Sequence, residues 1–294
     1  MNPLATKPKC YFCPVCDGKA CKNELPGLGG VFDNHNFIAN VRAWDEIGNT
    51  LTVNEEILPR IRLAPMTGAM QNMGYDEEKP YYYEAVRGCL DAGIGLSIGD
   101  GYPDEKLQHG IAALQQSKAQ GAVFIKPYPN ETIIKRMEWA GPVAELFGVD
   151  IDSYNILTMR NLVNLEKKGL KELVELKTIA NTRWGVPFAI KGVFTEEDVA
   201  LLAELKPDVV VVSNHGGRIE TERGSTARFL QAHSAALLNH TGSLWVDGGL
   251  RNKRHFAVAK ALGAREVLVG RPVVIALLQR GPEGIVDWYR ALMS

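Results

Sequence analysis

From Arg60 onward the chain repeats one local pattern: a short apolar run, then a longer segment whose apolar residues return at helical spacing. The runs are IRLAPM (61–66), IGLSIG (94–99), AVFIKP (122–127), GVDID (148–152), VPFAIKG (186–192), DVVVVSN (208–214), SLWVDGG (243–249) and EVLVGRP (266–272). Each is short, and several are rich in β-branched residues, so they read as strands buried on both faces. Between them lie amphipathic segments such as TEEDVALLAELK, where Thr195 followed by Glu197 and Asp198 marks a helix start. Gly263 after AKAL marks a helix stop. Strands alternating with helices imply right-handed crossovers and a parallel sheet. Eight such units in roughly 230 residues predict a closed (β/α)8 TIM barrel, which typically takes about 250 residues. An open doubly wound sheet is the alternative, but no G-x-G-x-x-G follows any of the runs.

Residues 1–59 fall outside the repeat and are read as an irregular cap, with 60–294 forming the barrel. The head packs Cys10, Cys13, Cys16 and Cys21 into CYFCPVCDGKAC. Two successive two-residue spacers suit thiolates converging on zinc or an iron-sulfur cluster. The last spacer is four residues long and is followed by Lys22, so reduced, unligated thiols are the favoured expectation. Gly27, Gly29 and Gly30 follow in a loop, with a polar stretch running to Leu58.

Composition narrows the function. Thirty-three basic against thirty-four acidic residues provide no global field for nucleic acid or an anionic membrane. No apolar run approaches the ~20 residues of a membrane span, and the amino terminus lacks the apolar core of a secretory signal. The expectation is a cytoplasmic protein with a small-molecule site. The ending DWYRALMS suggests a short last helix with apolar surface available to a second subunit, hence a homo-oligomer.

In a barrel, chemistry gathers at the carboxyl ends of the strands. There the fifth run ends in Lys191, and the sixth leads to Ser213, Asn214, His215 and Arg218. The seventh ends in Asp247, Gly248, Gly249 and Arg251, and the eighth in Gly270 and Arg271. The last two ends read as a phosphate cradle, since glycines let backbone amides approach oxygens and helix N-termini add partial positive charge. Lys191 is placed to face developing negative charge. His215 and Arg218 read as a base beside a carboxylate clamp.

SNHGGR (213–218), VDGGLR (246–251), ALGA (261–264) and VGRP (269–272), preceded by IKG (190–192), closely resemble the FMN-dependent α-hydroxy-acid dehydrogenase/oxidase family. APMTGAMQNM (64–73) resembles that family's first-strand flavin contact, and the cysteine-rich head with PGLGG is similar to a bacterial branch of α-hydroxy-acid-oxidising proteins. The resemblance implies FMN as cofactor and a small, lactate- or glycolate-like 2-hydroxy carboxylate as substrate, oxidised to the 2-oxo acid. It implies that His215 accepts the substrate proton, that Arg218 binds the carboxylate, and that Lys191 lies by the flavin pyrimidine. It further implies Asp247, Gly249, Arg251, Gly270 and Arg271 at the FMN phosphate, and Ala64, Pro65 and Met66 along the isoalloxazine. Ser213, Gly248 and Lys126 complete the cofactor set, and Tyr128 matches a substrate-contacting tyrosine. Asp152 is the expected partner of His215, with Asp150 on the same strand face as the alternative.

The sequence also departs from the family pattern. Lys126 stands where the family usually has a flavin-contacting glutamine. The loop SYNILTMRN lacks the arginine pattern of a second carboxylate clamp, and Arg160 is a poor replacement. The amino-terminal substrate tyrosine has no clear counterpart. Two other readings remain at this stage: an FMN barrel acting like type 2 isopentenyl-diphosphate isomerase, and a flavin or metal redox sensor centred on the cysteines. The sequence leaves the electron acceptor unassigned.

Overall fold

The computed structural model describes residues 35–294 apart from 74, 157, 158, 220 and 221, so Cys10, Cys13, Cys16, Cys21 and the Gly27–Gly30 loop lie outside it. All eight apolar runs become strands: β1 (Arg60–Leu63), β2 (Ser97–Gly99), β3 (Gly121–Ile125), β4 (Ala144–Asp150), β5 (Phe188–Val193), β6 (Val209–Val212), β7 (Ser243–Asp247) and β8 (Glu266–Val269). They form one parallel sheet in the order β1-β8-β7-β6-β5-β4-β3-β2. The two ends of that order meet through a parallel bridge from Arg62 to Gly95. There the Leu63 amide donates to the Gly95 carbonyl at 2.8 Å and the Gly95 amide to the Ile61 carbonyl at 2.9 Å. The sheet is therefore a barrel, as the repeat predicted.

Alternation along each strand creates two apolar layers. Ala122, Phe124, Leu146, Ala189, Val209, Val211, Trp245 and Leu268 pack together inside the barrel. Their strand neighbours, among them Val123, Phe147, Ile190, Val210, Val246 and Val267, join the larger core beneath the helices. Those helices are α1 (His35–Gly48), α2 (Lys79–Ala92), α3 (Glu105–Gln116), α4 (Asn130–Ala140), α5 (Leu170–Ile179), α6 (Glu196–Leu205), α7 (Thr226–Leu238), α8 (Lys253–Ala261), α9 (Arg271–Arg280) and α10 (Pro282–Met293). The anticipated start of α6 is a full capping box: Thr195 Oγ1 accepts from the Asp198 amide, and the Asp198 carboxylate accepts from the Thr195 amide.

One expectation needs correction. The polar stretch after the glycine loop contains α1, whose Phe37, Val41, Trp44 and Ile47 are buried at helical spacing. The last helix, α10, packs on α2 and α9 and buries Ile285, while Met293 near its end is exposed. Among the described residues, no helix is long and apolar enough to cross a membrane.

Candidate active site

The alternation that fills the barrel also builds the site above it. Two residues beyond Phe124, Gly148, Ala189, Val211 and Trp245 come Lys126, Asp150, Lys191, Ser213 and Asp247, all buried. Interior parity thus places a polar layer on top of an apolar one, at the carboxyl ends of β3 to β7.

The layer is tied into one network. The Lys191 ammonium lies 3.3 Å from Asp150 Oδ1, 3.5 Å from Asp247 Oδ2 and 3.2 Å from Ser213 Oγ. Ser213 Oγ donates to Asp247 Oδ2 at 2.8 Å and accepts from the His215 amide at 3.1 Å. Burial alone would lower the pKa of Lys191, but Asp150 and Asp247 outweigh it and hold the ammonium protonated well above its ordinary range. Burial would likewise raise the pKa of Asp150, yet Lys126 and Lys191 hold it below the usual carboxylate range.

His215 sits in a tight turn after β6 with φ 57°, a left-handed conformation uncommon for a residue with a side chain. The turn is over-determined by its neighbours. Asn214 Oδ1 accepts from the Gly217 amide at 2.9 Å and from Asn40 Nδ2 at 2.7 Å, while Asn40 Oδ1 accepts from the Thr226 amide at 3.0 Å. At Gly217, where φ is +91°, a Cβ would lie 2.5 Å from the Phe37 backbone, so only glycine lets α1 press this close. Helix α1 is therefore the brace of the His215 turn.

Asp152, on the short 3-10 segment after β4, accepts at His215 Nδ1 through Oδ1 at 2.9 Å and Oδ2 at 3.1 Å. Gly192 makes room for that carboxylate, since a Cβ there would come within 2.5 Å of Asp152 Cγ. A carboxylate only accepts, so Nδ1 carries the hydrogen and Nε2 is left as an acceptor. Asp150 lies 3.8 Å from Nε2 and is committed to the two lysines. Burial pushes the His215 pKa below its ordinary 6.5, Lys126 and Lys191 push the same way, and the two aspartates only partly oppose them.

These residues open onto one cleft at the carboxyl end of the barrel. It is also lined by Ala64, Pro65 and Met66 from the end of β1, and by Gly248, Gly249, Arg251, Gly270 and Arg271 from the ends of β7 and β8. Arg218 and Arg251 line it too, and desolvation lowers the pKa of both, Arg251 to about 10. Arg271 stacks on the Phe37 ring, 3.6 Å from its centroid, at the start of α9.

Two residues from the sequence reading sit elsewhere. Tyr128 is buried beneath Arg136, 4.1 Å from its ring centroid, and does not line the cleft. Its amide donates to the Lys126 carbonyl at 2.8 Å in a tight turn centred on Pro127, which breaks the strand alternation that would have brought it inward. Arg160 is exposed and also outside the lining. The Asp247 carboxylate is engaged by Ser213 and Lys191 rather than standing ready for a phosphate, which an acceptor-only group would repel.

Comparisons with known proteins agree with this architecture. Residues 158–294 match the model of the family described as FMN-dependent dehydrogenase. An L-lactate dehydrogenase of Caulobacter vibrioides is 42% identical over 113 residues, which is 38% of this chain and 29% of that protein. The 2-hydroxyacid oxidase 2 of Mus musculus is 35% identical over 102 residues, 35% of this chain and 29% of that protein. The similarity therefore spans under a third of the length of these relatives. Among solved structures, mandelate oxidase with benzoyl-formic acid superimposes with a TM-score of 0.65 at 19% identity, covering 88% of this chain and 82% of that one. At that identity the likeness is one of fold.

Proposed function

We propose, from the premise that through residues 158–294 the chain belongs to the FMN-dependent dehydrogenase family, that it oxidises a small 2-hydroxy carboxylate to the 2-oxo acid. The observation that carries the reading is the pairing, in one cleft, of an imidazole whose Nε2 is an acceptor with the half-buried Arg218 guanidinium, which has no acidic partner among the described residues. The first is a base for a hydroxyl proton, and the second a clamp for a carboxylate.

The residues present fit FMN. Arg251 and the N-terminal end of α9, at Gly270 and Arg271, offer positive charge to a phosphate. Asp247 Oδ1 is buried with no hydrogen-bond partner among the described residues, an acceptor that suits a ribityl hydroxyl donor. Ala64, Pro65 and Met66 line the cleft in a tight turn after β1, where the Met66 amide donates to the Ala64 carbonyl at 2.8 Å. Bound there, FMN supplies the two-electron acceptor for oxidation at the substrate α-carbon. The chain's own part is to orient and to move a proton. Arg218 fixes the carboxylate, His215 Nε2 takes the hydroxyl proton, and Asp152 stabilises the imidazolium that results. Lys191 keeps a permanent positive charge beneath the site, where added negative charge is stabilised most strongly away from water.

Turnover tests the proposal. Full-length protein, incubated with L-lactate, glycolate or a larger 2-hydroxy acid and an artificial electron acceptor, is expected to form the matching 2-oxo acid, scored by mass spectrometry. Absence of 2-oxo acid across the series from flavin-loaded protein would remove this function.

A further inference from the structure

The acceptor nitrogen of His215 does not face the cleft alone. Lys126 Nζ lies 2.9 Å from His215 Nε2 and 2.7 Å from Asp150 Oδ2, and only a small part of its side chain is exposed. An ammonium can only donate, so this contact and the carboxylate on Nδ1 select the same imidazole form, with hydrogen on Nδ1 and a lone pair on Nε2. Asp150, Asp152 and His215 also offer three ligand atoms within 4.8 Å of one another. The lysine ammonium already supplies the cation for two of them.

We propose that Lys126 is a positioning residue for His215: its ammonium holds Nε2 as a bare acceptor in the resting site and passes wholly to Asp150 when a substrate hydroxyl takes its place. This deepens the reading of His215 as the base and rests on it. The exchange requires little movement, because the lysine already contacts both groups. It also leaves Asp150 compensated throughout, since Lys191 stays 3.3 Å from its other oxygen. The hydroxyl proton then goes to Nε2, and the positive charge that appears on the ring lies between Asp152 at Nδ1 and Asp150 near Nε2.

The charged groups described around the ring enter the expected titration. Asp150 and Asp152 come from β4 and its following turn, Lys126 from β3, Lys191 from β5, and Asp247 from β7 through Lys191. The two lysines disfavour protonation and the aspartates favour it. Removing Lys126 therefore tips the balance toward imidazolium.

The test is ¹⁵N NMR of His215 in the full-length, flavin-loaded chain across a pH series, for wild type, Lys126→Met and Lys126→Gln. Wild type should show hydrogen on Nδ1, an unprotonated Nε2, and a titration midpoint below 6.5. Lys126→Met should raise that midpoint and blur the tautomer preference, and the acid limb of kcat/KM should move up in pH with it. Lys126→Gln, of nearly the same reach and still a donor, should retain the tautomer while the midpoint still rises. An unchanged midpoint in both variants, or hydrogen on Nε2 in wild type, would overturn the proposal. The spectra need no substrate, so a chain that shows the shift but makes no 2-oxo acid sinks the functional reading and spares this contact. The reverse result does the opposite.

Discussion

The two ends of the barrel both bury positive charge, and they treat it in opposite ways. Near the starts of the strands, Arg62 donates from Nε to Glu266 at 2.7 Å, pairs with Glu145, donates to the Leu96 carbonyl at 2.6 Å, and lies over the Trp245 ring at 4.8 Å. Its charge and donors are answered within the chain. At the carboxyl ends, Lys126 and Lys191 are also answered by aspartates, but Arg218 and Arg251 stand half-buried along a cleft with no acidic partner among the described residues. Burying an unpaired charge costs stability, so a guanidinium left this way points to an anion from outside the chain. Among the arginines, the one answered within the chain is sealed from solvent, and the two left unanswered open onto the cleft.

That contrast can be broken by substitution. The largest expected effect is at the reacting nitrogen: His215→Asn should lower kcat by about 10²–10⁴-fold while the flavin stays bound, read by steady-state kinetics and absorbance. Next is Arg62→Met, which leaves Glu266 without its buried partner and should cost about 3–5 kcal/mol in denaturant unfolding. At temperatures where that variant folds, its KM should match wild type, since Arg62 itself does not line the cleft. Arg218→Met should do the reverse, weakening carboxylate binding by about 1.5–3 kcal/mol, seen in kcat/KM and in inhibition by unreactive carboxylates. Unfolding free energy should change little, because the charge removed is half-buried and has no acidic partner among the described residues.

A smaller effect belongs to the brace. Asn40→Ala deprives the Thr226 amide and Asn214 of buried partners and should cost about 1–3 kcal/mol, with a loss of kcat that exceeds any change in flavin affinity. The pH dependence is subtler. Because the folded pKa of His215 lies below 6.5, kcat/KM should hold as pH falls through 6.5 and decline only beneath it. The same depression means that this group favours the folded state above 6.5, and that its contribution is lost as pH falls through the lowered value. An acid limb centred above 6.5 would contradict the environment described for His215.

The strand ends were legible because alternation is a local property. Once Phe124, Ala189, Val211 and Trp245 point inward, Lys126, Lys191, Ser213 and Asp247 must follow. Tyr128 shows where that logic stops, since the turn at Pro127 resets the direction of the next side chain. The contact of Lys126 with His215 spans β3 and β6, 89 positions apart, and nothing local encodes it. The choice between Asp150 and Asp152 was equally non-local, decided by which carboxylate the two lysines claim. Helix α1 did carry a signal in Phe37, Val41, Trp44 and Ile47. Asn36 and Asn40 obscured it, because a helix that braces polar turns buries polar residues on its inner face.

The most direct test is to mix the flavin-loaded full-length chain anaerobically with a series of 2-hydroxy acids and follow its absorbance. The account predicts that at least one acid bleaches the oxidised flavin band, yielding one 2-oxo acid per flavin, and that Arg218→Met needs far more acid for the same bleaching. A flavin that stays oxidised with every acid, or an Arg218→Met variant that bleaches at wild-type concentrations, would contradict it.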